Sequence, residues 1–258
     1  MESQGVINTP KNIADIIVKT TLAPLFSDEK FTEWDSYRIA DICCGSGNFL
    51  LSAYEFIINR YIEYYMKNSL DMAIQKGLLI SDVGNNFKLS YEKKRGILRN
   101  NIWGVDIDIL AVEVAKFSLL IKLIEDSSLY EMESFAKNNN CRILPSLDNN
   151  IKNGNSLVDE KYIEFNSNIL NDPEMVEKIK IFNWENEFAG EKFDAIVGNP
   201  PYIRVQNMVH FSENEYEYYK SAVSKYETAK SDLLDKYFLF MEKGLQLLKP
   251  KGKMGYII

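Results

Sequence analysis

The sequence predicts an α/β fold in which a doubly wound, mostly parallel sheet carries helices on both faces. Three observations carry this. Residues 37–42 read as a strand that feeds a Gly-x-Gly turn at Gly45 and Gly47, and helix-spaced apolar residues follow. Residues 101–108 repeat the unit as a strand ending in acid, again with a helical pattern behind it. Residues 193–198 are a further apolar strand, and a helix and another strand follow at a distance. With 258 residues and 46% hydrophobic content, the chain is long enough to bury a substantial core.

Taken in order, the first element is a helix over 9–22. Thr9 is a suitable N-cap, Pro10 suits the first helical position, and Ile13, Ile16, Ile17 and Leu22 supply an apolar stripe. After the strand at 37–42 and its glycine turn, Leu50, Leu51, Ala53, Tyr54, Ile57, Ile58, Tyr61 and Ile62 keep helical spacing. Leu50 stands where the third glycine of a dinucleotide fingerprint would be, and no Lys-Ser/Thr follows as in a P-loop. The turn by itself is equally compatible with a nucleotide-like ligand and with a plain tight turn.

Residues 66–100 read as a polar insertion, helical around 71–76, with a turn at Gly84-Asn85-Asn86. Asp41 and Asp106 lie 65 residues apart, against about 20 in a minimal unit, so this insertion is expected to loop out. The strand over 101–108 leads into a helix marked by Ala111, Val114, Ala115, Ser118, Leu119 and Lys122. Residues 138–140 read as loop, and 149–157 as a short strand with a polar turn. Within the polar stretch 158–192, Phe182, Trp184 and Phe188 are expected to cover the core. Residues 203–236 hold five Lys/Arg against six acids, the balance of a solvated helix or loop rather than a basic patch. A helix over 235–248 presents Phe238, Met241, Leu245 and Leu248, Lys249-Pro250-Lys251-Gly252 ends it, and 253–258 start a fifth strand. A chain stopping in a core strand is expected to be one module of a longer protein.

Bulk properties exclude several classes. Three cysteines, two of them adjacent, are not a disulfide framework, and one histidine without Cys-x-x-Cys makes a zinc site unexpected. No apolar run approaches membrane-span length, so the expected location is the cytoplasm. A net charge of −7 gives no electrostatic footprint for nucleic acid, so any such partner needs positive charge from elsewhere.

The most informative stretch is Asn199-Pro200-Pro201-Tyr202 directly behind the strand at 193–198. Proline fixes φ and donates no hydrogen bond, so the strand gives way to a rigid loop holding an amide, backbone carbonyls and one ring at set positions. That arrangement suits a flat, nitrogen-bearing ring better than a phosphate or a metal.

Together these motifs resemble the adenine-specific (N6) DNA methyltransferases of bacterial restriction–modification systems, and in particular the modification modules of bifunctional type II enzymes. Asp-x-x-Cys-Gly-Ser-Gly-Asn-Phe at 41–49 resembles the family's cofactor loop, and Gly-Val-Asp-Ile-Asp at 104–108 its ribose-binding strand end. Asn-Gly-Asn-Ser-Leu at 153–157 is similar to the turn that reads the cofactor's adenine, and Asn-Pro-Pro-Tyr at 199–202 to the catalytic motif. The resemblance implies a Rossmann-like class I methyltransferase domain over 1–258 that uses S-adenosylmethionine, with a target-recognition region C-terminal to it. Double-stranded DNA would be reached through that region, and a nuclease, fused or separate, would be the functional partner.

By the same resemblance Thr9 would touch the cofactor carboxylate. Asp41, Cys43, Gly45 and Gly47 would form its methionine cradle, and Phe49 would either shield the methyl path or pack in the core. Asp106 would accept both ribose hydroxyls, while Ile107 and Asn155 would hold the adenine. Asn155 departs from the Asp that many members carry, and its side-chain oxygen would face the adenine amino group. Asn199 and the Pro200 carbonyl would accept the target amine's hydrogens, with Pro201 stiffening the loop and Tyr202 stacking on the base. The alternatives are a methyltransferase acting on RNA or on a protein glutamine, and a non-catalytic cofactor-binding fragment. A nicotinamide dehydrogenase leaves Asn-Pro-Pro-Tyr unexplained.

Overall fold

The computed structural model describes residues 9–81, 86–204, 207, 212–230 and 235–258. Five strands make one parallel sheet: β1 Ile39–Asp41, β4 Ile102–Asp106, β5 Ile151–Asn153, β6 Phe193–Gly198 and β7 Leu248–Tyr256. Their spatial order is β5-β4-β1-β6-β7. The two remaining strands, β2 Leu79–Ser81 and β3 Phe87–Leu89, pair antiparallel as a separate hairpin. Chain order reverses at β1, where Ile39 lies opposite Ile102 of β4 on one side and Ala195 of β6 on the other. In open α/β sheets the crevice outside the carboxyl ends of the strands at such a reversal is where ligands bind.

The three central strands β4, β1 and β6 are largely buried, which is why they read as mostly apolar, whereas no residue of the edge strand β7 is fully buried. Ile39, Ile102, Ala195 and Val197 face a layer built by helices α1 Lys11–Leu22, α2 Asn48–Asn68, α4 Tyr91–Asn101 and α5 Ile109–Ile124. Phe49, Leu50, Ala53, Tyr54, Ile57, Tyr61 and Tyr65 make the buried face of α2. On the other face Ala40, Ile42, Val105 and Ile196 meet Trp184, Phe188 and the helix Lys236–Leu247. Phe182, Trp184 and Phe188 do cover the core, as expected, in a chain of tilted and edge-on ring contacts with Phe193. No helix among the described residues is long and apolar enough to cross a membrane.

Several expectations are corrected. Pro10 occupies the N-cap position, so α1 begins at Lys11 and Thr9 caps nothing. Residues 66–100 do not simply loop out. A short helix, α3 Leu70–Gln75, and the hairpin pack into the core through Ala73, Leu79 and Leu89, and α4 belongs to the main helical layer, with Tyr91, Ile97 and Leu98 fully buried. Its polar surface disguises it, although the Ser90 side chain accepts the Lys93 N–H as an N-cap signal. A helix at Leu129–Asn138, α6, occupies a segment with no sequence assignment. Residues 213–230 are not merely solvated, because Tyr218, Tyr219 and Tyr226 are buried. The helix before β7 turns inward through Leu239, Phe240, Gly244 and Leu247, while Leu245 is 65% exposed. The end of the Met254 side chain occupies the place a Gly244 Cβ would take. β7 starts at Leu248, and the register shift between Phe193 and Ala195 of β6 accommodates Pro250 on an edge strand. Asn8, Gly84, Asn85 and parts of 203–236 lie outside the described residues.

Candidate active site at the strand ends

β1 ends in Asp41, which is only 1% exposed. Burial pushes its carboxyl up to about 7, against the Cys43 N–H, which donates to Asp41 Oδ1 at 3.0 Å and pulls the other way. The Cys43 thiol, facing Asp41, is pushed well up by the same burial. The chain then turns through Gly45 at φ +50° and Gly47 at φ +90°, both left-handed conformations that side chains disfavour. The two glycines differ in purpose. A Cβ on Gly47 would sit 3.0 Å from the Ala115 side chain of α5, so that glycine lets the helix close in; nothing lies within 4 Å of a Cβ built on Gly45. Gly45 therefore bares backbone to open space, as a cradle for a ligand requires.

Asp106 closes β4 beside this turn. Its Oδ2 accepts the Gly45 N–H at 2.7 Å and its Oδ1 the Asp108 N–H at 2.9 Å. Burial raises its pKa while these two N–H groups pull it down. A carboxylate has about four lone-pair directions, so acceptor capacity remains after both bonds. Ile107, next along, is 41% exposed. Past the end of β5, Asn155 is 4% exposed, and its Oδ1 accepts the Leu157 N–H at 3.1 Å in an Asx turn. Phe49 is 3% exposed and packs in the core.

β6 delivers the loop 199–202 to the same place. A Cβ on Gly198 would lie 2.7 Å from Asp41 Oδ1, so glycine is what lets the strand end close on that acid. Asn199 Nδ2 donates to Thr9 Oγ1 at 2.9 Å, and Asn48, at the start of α2, donates to the Thr9 carbonyl at 3.3 Å. Tyr202 is held through its hydroxyl, which donates to the Ile257 carbonyl at 3.0 Å. Direct contacts thus join Thr9, Asp41, Cys43, Gly45, Asp106, Gly198 and Asn199, while Ile107 and Asn155 stand farther out along the neighbouring strand ends. Gly198 and Asn48, which lie inside the strand and loop motifs without an expected role, join the site.

Comparison with known proteins fits this geometry. A family model described as Eco57I restriction-modification methylase matches residues 100–258. The type II restriction enzyme and methyltransferase RM.Eco57I of Escherichia coli is 36% identical over 256 residues, 99% of this chain. The chain belongs to the Eco57I restriction-modification methylase family. It spans 23% of that E. coli relative's length. The adenine-specific methyltransferase PglX of Streptomyces coelicolor is 25% identical over 80% of the chain and 15% of its own length. Among solved structures, a nuclease-deletion mutant of the Type ISP restriction–modification enzyme LlaGI, in complex with a DNA substrate mimic, aligns over 97% of this chain and 18% of its own. Its TM-score is 0.56 at 15% identity. The DrdV–DNA complex aligns over 99% of this chain and 20% of its own, with a TM-score of 0.52 at 15% identity. Both share the fold. The doubly wound architecture expected from the sequence is present.

Proposed function

We propose that this chain transfers a methyl group from S-adenosylmethionine to the N6 amine of a flipped-out adenine in DNA, as the modification part of a restriction–modification system. One observation carries the reading: the amide of Asn199, on a proline-stiffened loop, is hydrogen-bonded to Thr9 beside the glycine turn, the buried Asp41 and the half-buried Asp106. The site fits the cofactor on its own chemistry. Asp41 and Asp106 are carboxylates held at a cost in burial, which a cationic ammonium and a pair of ribose hydroxyls would relieve. Open space above Gly45 leaves room for a ligand against the backbone.

When bound, S-adenosylmethionine supplies an electrophilic methyl group. Thr9, Asp41, Cys43, Gly45 and Gly47 would hold its methionine part, Asp106 its ribose, and Ile107 and Asn155 its adenine. The chain's own task is to make a poor nucleophile better. An adenine amine is weak because its lone pair is delocalised into the ring. Asn199 Oδ1 and the Pro200 carbonyl accept its two hydrogens, which localises the lone pair toward the incoming carbon. Pro200 and Pro201 fix those acceptors in advance, and preorganisation of this kind is the main source of electrostatic catalysis. Tyr202, tethered to Ile257, offers its ring to the flipped base, and stacking of that kind stabilises by roughly 1–3 kcal/mol. Positive charge for the DNA backbone would come from outside this chain, whose net charge is −7.

Asn199→Ala tests the reading. Methyl transfer from labelled S-adenosylmethionine to unmethylated genomic DNA should fall by at least about 1,000-fold, since an acceptor and its preorganisation go together. Cofactor affinity by calorimetry should stay within a few-fold. Equal loss of both would show that this loop belongs to the cofactor site instead.

A further inference from the structure

Pro200 and Pro201 stiffen the loop 199–202 but donate no backbone hydrogen bond, so the loop is placed by what holds its two ends. Its entry is fixed by the sheet, where Gly198 lies opposite Tyr256 of β7 and the Gly198 carbonyl accepts the Ile257 N–H at 3.2 Å. Its exit is fixed by a further backbone bond: the Ile203 carbonyl, directly behind Tyr202, accepts the Lys236 N–H at 2.8 Å. Lys236 opens the helix Lys236–Leu247, so its N–H has no partner within that helix and is available to the loop. The same residue is held from its other end. Its ammonium lies 3.2 Å from Glu215 Oε2, the two side chains are only 13% and 5% exposed, and the Tyr219 hydroxyl donates to that oxygen at 2.9 Å. Glu215 sits on the helix Glu213–Lys220, which is seated beside the 153–157 turn. The Tyr218 hydroxyl donates to Asp159 Oδ1 at 3.1 Å, and that of Tyr226, just past the helix, to the Leu157 carbonyl at 2.8 Å.

We infer that Glu215 is a positioning residue that sets the Tyr202 ring in the site by holding Lys236. Burying two opposite charges costs desolvation that their attraction only partly returns, and apolar side chains of the same shape would fill the space as well. What the ion pair adds is direction. Glu215 Oε2, bonded at once to Tyr219 and Lys236, fixes where the lysine stem ends, and so ties the first turn of the helix Lys236–Leu247 to the helix Glu213–Lys220. That turn carries the N–H that holds Ile203. It also carries Tyr237, whose ring centre lies 6.3 Å from that of Tyr202. Tyr202 is thereby held through its hydroxyl by Ile257, along its ring by Tyr237 and through the chain behind it by Lys236. Two of these holds lead back to Glu215, which acts through Lys236 and not on the base itself. The inference rests on the proposed transfer to an adenine amine.

Glu215→Leu alone would leave the Lys236 ammonium buried without its partner and lower stability sharply. The deciding variant therefore replaces all three polar groups together, Glu215→Leu/Tyr219→Phe/Lys236→Met, because matched apolar side chains keep the packing and orphan nothing. Four quantities are read: the urea unfolding midpoint, S-adenosylmethionine affinity by calorimetry, the single-turnover methylation rate of unmethylated genomic DNA at saturating cofactor, and hydrogen exchange of the backbone amide at position 236. Stability and cofactor affinity should match the unsubstituted protein. The saturated rate should fall roughly 100-fold, the scale of a misplacement of about 1 Å. Protection of the 236 amide should fall by at least about 10-fold. The inference is overturned if rate and protection stay intact along with stability, because the three polar groups then only fill space. It is also overturned if cofactor affinity falls as far as the rate, because the helix Glu213–Lys220 then serves the 153–157 turn instead. Glu215→Gln keeps an acceptor for Tyr219 and loses only the charge, so it decides the matter however the triple variant folds. Its saturated rate should fall about 10-fold with cofactor affinity unchanged, and an unchanged rate overturns the inference. Absence of methyl transfer by the unsubstituted protein would instead defeat the functional reading, and exchange of the 236 amide would still decide whether Glu215 holds the loop.

Discussion

The two ends of the central sheet use the same side chains for opposite purposes. At the amino ends of the strands, Asn101 is fully buried and donates both amide hydrogens to backbone, at 2.8 Å to the Trp34 carbonyl and 2.6 Å to that of Tyr37. Asn150 does likewise for the carbonyls of Arg99 and Ile102, at 2.8 and 2.9 Å. Arg38 lies 3.9 Å over the Trp103 ring and pairs with Glu191, while Asp194 accepts the Arg38 backbone N–H and a Lys249 charge. At the carboxyl ends, Asn199 spans from one loop to Thr9, and the buried Asp41 and half-buried Asp106 have raised pKa values with backbone N–H groups as hydrogen-bond donors. One end joins polar groups into the fold. The other keeps acids and amides in a state that a ligand would improve.

If that contrast is right, breaking the amino end should destabilise the fold most. Asn101→Ala takes a donor from two backbone carbonyls at once, of which that of Trp34 keeps the Tyr37 N–H, and each lost bond to a buried group costs about 1–3 kcal/mol. A loss near 4 kcal/mol is expected in urea unfolding, enough to remove much of an ordinary domain's stability. A loss below about 1 kcal/mol would mean that this end is no better satisfied than the other.

Asp41 should respond in the opposite direction, with a pH dependence that follows from its shift. Its folded pKa, about 7, lies above the ordinary 3.8, so the folded state binds the proton more tightly than the unfolded state. This group's contribution is therefore most favourable below about pH 3.8, declines as pH rises toward 7, and is flat above. Asn keeps the acceptor for the Cys43 N–H and carries no charge. Asp41→Asn should accordingly stabilise the protein by on the order of 3 kcal/mol at pH 8 and by almost nothing near pH 4. A pH-independent difference between the two proteins would assign the effect to packing.

These two ends were not equally legible in the sequence. The carboxyl end announced itself because its chemistry needs rare local patterns: glycines at positive φ, an acid closing a strand, and paired prolines behind one. Asn101 and Asn150 gave no such signal, because any polar residue near a strand end looks like a turn until the carbonyls it serves come together in space. For the same reason the sequence of α4 reads as part of an insertion. Its Lys93, Lys94 and Arg95 outweighed Tyr91, Ile97 and Leu98, yet Lys94 is itself 6% exposed and reaches the Glu125 carbonyl. Burial of long amphipathic side chains is a tertiary property. The Thr9–Asn199 bond was equally invisible, since each residue had a role of its own and only the fold brings them within 2.9 Å.

The smallest expected effect sharpens the contrast furthest. Asp106 belongs to both descriptions, since it accepts two backbone N–H groups and is also the candidate ribose ligand. A purely structural carboxylate would lose stability on substitution and little else. A ligand-directed one should lose affinity at small cost to the fold, because removing a buried charge offsets the loss of its hydrogen bonds. Asp106→Ala is therefore expected to weaken S-adenosylmethionine binding by about 10- to 100-fold, the equivalent of one or two charge-assisted hydrogen bonds, and to change stability by less than about 1 kcal/mol. Calorimetric titration and urea unfolding on the same sample decide it. Unchanged affinity with a stability loss like that of Asn101→Ala would place Asp106 with the amino-end residues, and the division between the two ends of the sheet would not hold.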